Sequence, residues 1–312
     1  MLKLITTKPG EIIPLATSFV ENVAIGEPTD KRGKIERVDY TTSVYEDGVT
    51  YQKYCNVYLP YGYDPDDKGK KYNVVYYQHG NSCDPELFVG ENQMLFDALF
   101  ATGEVEPCIV VFTTYYFDVT KDVEERRRTG SVPAGDGNWD GAKGYFYKEV
   151  AQDIIPAVET RYNTYLTEAS DAGIKATRDH RAFSGYSRGS VATWKLFHYD
   201  FEYFRWFAPM SCHITADHNV RDSVPQEEIL AYLQQPILAH PELPFFIYAS
   251  NGYPRDVAQM TEQMKFIVTA DSFSYGQDPK QNNLYFALSN FTHSDLYAPY
   301  YFYNSLQVLF KA

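Results

Sequence analysis

The sequence predicts an α/β protein with a mostly parallel central sheet and helices on both faces, and three observations carry that expectation. Continuous apolar runs such as Tyr72 to Gln78 (YNVVYYQ) and Cys108 to Tyr115 (CIVVFTTY) have the length and saturation of strands buried on both faces. Segments of helical apolar spacing alternate with them: Leu95, Phe96, Leu99 and Phe100 in one, Val191, Trp194 and Phe197 in another. The chain has 312 residues, 44% of them hydrophobic and 22% charged, enough to bury one large core. Residues 1–312 are therefore read as a single domain, with 1–33, which lack a clear period, as an extension packed on it.

In chain order, Lys34 to Tyr45 and Tyr51 to Leu59 alternate with period two around Glu46-Asp47-Gly48, the pattern of an antiparallel pair. The strand Tyr72 to Gln78, a helix over Leu87 to Phe100 and the strand Cys108 to Tyr115 follow. Phe146, Val150, Ile154 and Ala157 share a helical face that Pro156 must kink or restart, because proline has no N–H and its ring crowds the preceding turn. Arg181 to Ser184 leads as a strand into a helix from Ser187 to Phe201. Phe207 to Ser211, Phe245 to Ser250 and Leu284 to Leu288 are the last strands. Met260, Met264 and Ile267 mark a helix between the final two, and Leu296 to Phe310 a closing one. Such alternation specifies parallel strands joined by helical crossovers. Asp118 to Gly144 and Ile214 to Pro241 exceed ordinary connections and read as lids or pocket walls.

Charge narrows the range of partners. With 28 Lys+Arg against 41 Asp+Glu the net charge is −13, which opposes phosphate-rich partners, so neither nucleic acid nor membrane is expected. The one basic run, Arg126-Arg127-Arg128, follows Glu124-Glu125 and reads as a solvated loop. No window approaches the ~18 apolar residues of a membrane span. Met1 to Pro9 contains no export leader, which fits a cytoplasmic protein or one whose leader is absent from this chain. Cys55, Cys83, Cys108 and Cys212 have no motif spacing and read as free thiols. No HExxH, EF-hand loop or phosphate cradle is present, so no metal and no cofactor is expected. Aromatics reach 16%, with 28 tyrosines, a surplus that fills cores and lines surfaces for flat or sugar-like ligands.

The sharpest chemical signal is Gly185-Tyr186-Ser187-Arg188-Gly189, a G-x-S-x-G placed where a short strand meets an amphipathic helix. That setting is the nucleophile elbow of α/β-hydrolases. The turn is so tight that a Cβ on either flank would collide with backbone, and the helix that starts there aims its N–H groups at a developing oxyanion. Serine at its ordinary pKa is a weak nucleophile, so a base and an orienting acid must follow in the order Ser, acid, His. His293, after the strand Leu284 to Leu288, occupies the base position; His213 comes one strand too early. The remaining histidines, His79, His180, His198, His218 and His240, are read as structural or surface groups. Asp256, opening a helix beyond the strand Phe245 to Ser250, is the candidate acid, although an Asp there is also an ordinary N-cap, and Asp271 is the alternative. One oxyanion N–H is expected from the loop His79-Gly80-Asn81-Ser82 and a second from Arg188, each worth about 2.7–4 kcal/mol to the transition state.

These residues resemble carbohydrate esterase family one, in particular its feruloyl esterase branch. The likeness rests on Tyr58-Leu59-Pro60-Tyr61-Gly62-Tyr63, on Tyr76-Tyr77-Gln78-His79-Gly80, and on Asp153-Ile154-Ile155-Pro156 with Glu159 and Tyr162. It continues through His180-Arg181, the Gly185 to Gly189 motif and Thr292-His293, so that it runs from about Val38 to the C-terminus. The resemblance implies a serine esterase that releases ferulic or related hydroxycinnamic acid from feruloylated arabinoxylan through an acyl-enzyme. It implies Ser187, His293 and Asp256 as catalytic residues and Asn81 and Arg188 at the oxyanion positions. It also implies an extracellular setting, with a cytoplasmic one still open. Arg188 and Ser190 stand where the family often has Met and a second Gly, the acid loop is longer than usual, and Cys212-His213 replaces small or aromatic residues. Trp139, Tyr145, Cys212 and His213 are the candidate substrate contacts. The alternatives are an acetyl-xylan or general small-ester esterase, an S-formylglutathione-type thioesterase, and a carbohydrate-binding module that has lost turnover, against which Ser187 and His293 both speak.

Overall fold

The computed structural model describes residues 4–6, 12–14, 30–81, 83, 85–103, 105–116, 145–218, 222–252 and 257–312. The chain divides into two compact units, Ile25–Arg181 and Ala182–Ala312, the latter joined by Met1–Ala24. Inside the segment expected to be an aperiodic extension, β1 (Leu4–Thr6) and β2 (Ile12–Pro14) pair antiparallel. The other residues of that segment up to 29 lie outside the described ones.

In the unit Ile25–Arg181, β3 (Lys34–Thr42) and β4 (Tyr51–Leu59) are antiparallel, in register from Lys34 opposite Leu59 to Thr42 opposite Tyr51. Along β3, Val38, Tyr40 and Thr42 are buried while Arg37, Asp39 and Thr41 face solvent, which is the origin of the period-two pattern. β5 (Val74–Gln78) and β6 (Ile109–Thr113) are parallel and buried at every residue, and β6 also pairs antiparallel with β4. The crossover between them is α1 (Pro85–Thr102), with a proline at its start where a missing N–H costs nothing.

Pro156 acts as its chemistry requires. The helical stretch from residue 145 widens into a π turn at Val150–Ile154 before continuing as α2 (Ile155–Glu159), and the Ile155 N–H bonds back to the Val150 carbonyl. Widening relieves the contact between the proline ring and the turn before it. Both carboxylates flanking this turn are buried in ion pairs. Glu149 accepts from Lys53 Nζ at 2.7 Å, from Tyr40 at 2.6 Å and from Tyr45. Glu159 receives Arg181 Nε at 2.6 Å, Arg181 Nη2 at 2.9 Å and the Tyr76 hydroxyl at 2.8 Å. The short α3 (Asp171–Ala176), not anticipated from sequence, is capped by Ser170, whose Oγ accepts from the Gly173 N–H at 3.2 Å.

In the second unit, β7 (Arg181–Tyr186), β8 (Trp206–Met210), β9 (Phe246–Gly252) and β10 (Leu284–Ser289) are successive parallel neighbours. The helices α4 (Arg188–Tyr199), α5 (Gln226–Ala239), α6 (Val257–Ile267) and α7 (Ala298–Leu306) belong to the same unit. The expectation of a loop from Ile214 to Pro241 is corrected by α5. Ile229, Tyr232, Leu233 and Pro236 are its buried stripe, spaced i, i+3, i+4, i+7, and the internal Pro236 obscures the pattern. The other long connection, 118–144, lies outside the described residues. The closing helix is shorter than expected, because a 3₁₀ turn at Asp295–Tyr297 precedes α7.

One core group carries a cost. Asp200, just past the end of α4, is 2% exposed, its Oδ2 has no hydrogen-bond partner, and burial pushes its carboxyl well above the usual carboxylate range. Unfolded chains ionise this group from about pH 4 upward while the folded protein resists, so stability is lost as pH rises above that value. Asp200→Asn, which mimics the neutral acid, is expected to raise the melting temperature by a few degrees at pH 7. The gain should vanish by about pH 4, as calorimetry at the two pH values would reveal.

Candidate active site

Gly185, next to last in β7, lies so close to the start of α4 that a Cβ on it would sit 2.3 Å from the Gly189 carbonyl oxygen and 2.8 Å from the Gly189 Cα. The first glycine of the motif is thus required: the strand and helix backbones touch where its side chain would otherwise stand. Between them Ser187 takes φ 56° and ψ −112°, a conformation that non-glycine residues rarely hold. Its N–H donates to the Met210 carbonyl at 2.8 Å, and its own carbonyl accepts from Ser190 at 2.9 Å and Val191 at 3.3 Å. The backbone is pinned on both sides.

The Ser187 side chain makes no capping bond to α4. Its Oγ lies 2.8 Å from His293 Nε2, within reach for proton transfer. His293 is placed by the loop between β10 and α7. The Tyr186 hydroxyl donates to the Ser294 carbonyl at 2.9 Å, its ring stands 5.4 Å from the imidazole, and Ser289 Oγ anchors the loop start by accepting from the Phe291 N–H at 3.2 Å. On the other side of the ring, Nδ1 is 3.3 Å from Ser211 Oγ. Ser211 is fully buried, has φ 58°, and donates its N–H to the Ser250 carbonyl at 2.7 Å. Sequence reasoning did not find Ser211. The available signal was its position at the C-terminal end of β8, beside the end of β7 in a parallel sheet.

Of the expected acids, Asp256 lies outside the described residues, and Asp271 is exposed beyond the end of α6. Asp295, two residues after the histidine, is partly buried. Burial raises its carboxyl pKa, and the nearby His293 charge opposes the rise. Arg188 is the first residue of α4, so its N–H belongs to the helix N-terminus. Asn81 lies in the turn beyond β5, in the unit Ile25–Arg181. Cys212 and His213 follow Ser211 directly. Ser190 of α4 donates to the Cys212 carbonyl at 3.4 Å, and Gln263 grips Ile214 through its N–H at 2.9 Å and its carbonyl at 2.8 Å, which fixes this loop next to the helix that Ser187 opens. Tyr145 is exposed in the unit Ile25–Arg181 with Lys148 Nζ 4.5 Å over its ring; Trp139 lies outside the described residues.

The other histidines have structural partners. His79 is fully buried between the Gly80 carbonyl and Thr114 Oγ1, at 2.7 and 2.8 Å. His180 stacks on Tyr165, His198 stacks on Tyr232, and His218 meets Glu228. Cys55 and Cys108 are free and buried, and burial pushes both thiols far from ionisation. Among the described residues no group of His, Cys, Asp or Glu is arranged to hold a metal, and no helix is long and apolar enough to cross a membrane.

Comparison with known proteins agrees with this architecture. Endo-1,4-beta-xylanase Y of Acetivibrio thermocellus is 30% identical over 288 residues, 91% of this chain and 24% of that protein. An endo-1,4-beta-xylanase/feruloyl esterase of Xylanibacter ruminicola is 28% identical over 52% of this chain and 19% of its own length. The chain therefore spans about a quarter of the first relative and a fifth of the second. A feruloyl esterase module from Clostridium thermocellum, solved as a serine-to-alanine mutant with sinapinate, superposes with a TM-score of 0.76 at 26% identity, over 95% of each chain. A ferulic acid esterase of Anaeromyces mucronatus, at 18% identity and a TM-score of 0.60 over 95% of this chain and 98% of its own, shares the fold. The Esterase family model matches residues 52–229, more than half of the chain. With the elbow at Ser187 inside the matched region and an α/β-hydrolase fold around it, the chain belongs to the Esterase family.

Proposed function

We propose that the chain is a serine esterase that releases ferulic or a related hydroxycinnamic acid from esterified plant cell-wall polysaccharide, with residues 1–312 acting as one esterase domain. The observation that carries the chemistry is the 2.8 Å contact between Ser187 Oγ and His293 Nε2 at a strained strand-to-helix turn. The choice of acyl group is supported by the 26% identical feruloyl esterase module, which binds sinapinate, and by the two xylanase relatives.

In this reading His293 takes the Ser187 proton as Oγ attacks the ester carbonyl, and returns it to the leaving sugar hydroxyl when the acyl-enzyme forms. Water then repeats the sequence and frees the acid. The oxyanion is held by the N–H of Arg188 at the start of α4 and by the expected donor Asn81. Asp256 is the expected acid on the histidine, and Trp139, Tyr145, Cys212 and His213 the expected contacts of the acyl and sugar portions. Because the polymer is insoluble and too large to enter a cell, such an enzyme works outside the cell that makes it.

Hydrolysis of methyl ferulate and para-nitrophenyl acetate by the purified protein tests the proposal. Ferulate release with the higher kcat/KM is the expected result; turnover of the acetate alone would move the substrate class to small esters, and inertness toward both would remove the esterase reading. Ser211 has a separable role. Ser211→Gly removes the hydroxyl at Nδ1 while relaxing a left-handed backbone, so kcat should fall about fivefold while the melting temperature holds or rises. A parallel loss of both would make Ser211 merely structural.

A further inference from the structure

Away from Ser187, the unit Ile25–Arg181 holds an open pocket of about 390 Å³ between the end of β4 and the turn after α2. Its floor is rigid. Tyr63 packs against Tyr72 and Tyr162 with ring centroids 5.4 and 6.1 Å away, and its hydroxyl accepts from the Asn163 N–H at 3.0 Å. On this floor stands a turn closed by the Tyr63 N–H donating to the Pro60 carbonyl at 3.0 Å, with Gly62 at φ 75° in the position that demands a left-handed residue. The turn holds Tyr61 out to solvent at 56% exposure, the most exposed of the large described aromatics.

The pocket's charge is equally distinct. Its lining includes Arg32, Lys34 and Arg161 against one carboxylate, Glu36, in a chain whose net charge is −13. Glu36 is already committed, taking Lys34 Nζ at 2.5 Å and the Tyr162 hydroxyl at 3.0 Å, and the Lys34 bond holds its carboxyl below the usual range. The Arg161 guanidinium and the exposed Tyr61 ring line the same pocket. A planar carboxylate on an arginine fork, with an apolar ring face against a tyrosine, is the ligand chemistry this combination selects.

From this geometry we infer that the pocket at Tyr61 and Arg161 is a second, non-catalytic site that binds a carboxylated sugar ring, a uronic acid. The pyranose C–H face lies on Tyr61 and the carboxylate meets Arg161. Esterase chemistry is not required for this binding, and the test reads it separately.

Ligand-observed NMR titrations with glucuronic acid and with glucose, which differ only in the carboxylate, would decide. Wild-type protein is expected to bind glucuronate about tenfold more tightly than glucose, and 0.5 M salt should erase most of that difference. Arg161→Gln should abolish the preference, Tyr61→Ala should weaken both sugars, and methyl ferulate hydrolysis should be unchanged in either variant. Equal binding of the two sugars, no binding of either, or a preference that survives Arg161→Gln would overturn the inference. So would inorganic phosphate competing as well as glucuronate with an affinity indifferent to Tyr61→Ala, which would make the site a simple anion trap. Glucuronate binding by a protein inert toward methyl ferulate would retain this site and remove the esterase reading.

Discussion

Ser187→Ala is expected to lower the rate of ferulate ester hydrolysis by about 10⁵ to 10⁶, while the far-ultraviolet circular dichroism and the melting temperature stay close to those of the wild type. The Oγ makes no capping bond to α4, and the backbone hydrogen bonds that hold the turn, to the Met210 carbonyl and from the Ser190 and Val191 N–H groups, do not involve it. Its removal therefore takes away the proposed nucleophile and almost nothing else. His293→Ala should cost nearly as much, and the double variant no more than either alone, because the two groups act as one unit. Activity that persisted in Ser187→Ala, measured on methyl ferulate with product release followed chromatographically, would mean that another residue attacks the ester.

The largest expected effect on folding comes from Glu159→Gln. Arg181 is wholly buried, and Glu159 supplies a counter-charge through two hydrogen bonds of 2.6 and 2.9 Å. The guanidinium also donates to the Ile174 carbonyl at 2.5 Å and to Thr177 Oγ1 at 2.6 Å, but neutral acceptors do not balance a charge removed from water. Breaking such a pair from one side costs about 3–5 kcal/mol, which denaturant unfolding would detect as a lower midpoint at an unchanged slope. Replacing both partners, Glu159→Leu with Arg181→Met, should recover most of the loss, since it removes the uncompensated charge together with its partner. A single variant as stable as the wild type would show that water reaches the guanidinium.

What the sequence made legible follows from what a local pattern can encode. β4 occurs at Tyr51–Leu59, as read, because the acidic turn before it and Pro60 after it are local stops. The Gly185 to Gly189 motif was readable because a backbone contact at fixed spacing imposes glycine whatever surrounds it. α5 was missed although its stripe is regular, because Ile214 to Pro241 was read as one long connection, and tertiary packing of Ile229 and Leu233 overrides the hydrogen bond that the internal Pro236 forgoes. Ser211 and the Glu159–Arg181 pair were not assigned roles for a different reason. Their meaning depends on partners 82 and 22 residues away, and periodicity reports which face a residue occupies without saying whom it meets there.

The π turn at Val150–Ile154 makes this stretch of chain a counted length. One surplus residue keeps the upstream helical stripe, with Glu149 on Lys53, and the downstream stripe, with Glu159 on Arg181, both facing inward. Were the segment to wind as an uninterrupted α-helix, one stripe would rotate by about 100° relative to the other, and one of the two carboxylates would be carried off its cation. The segment should therefore accept side-chain replacements far more readily than a single inserted residue. An insertion that breaks the phase is matched only by a deletion within the same few positions, so lengths here are expected to change in compensating pairs.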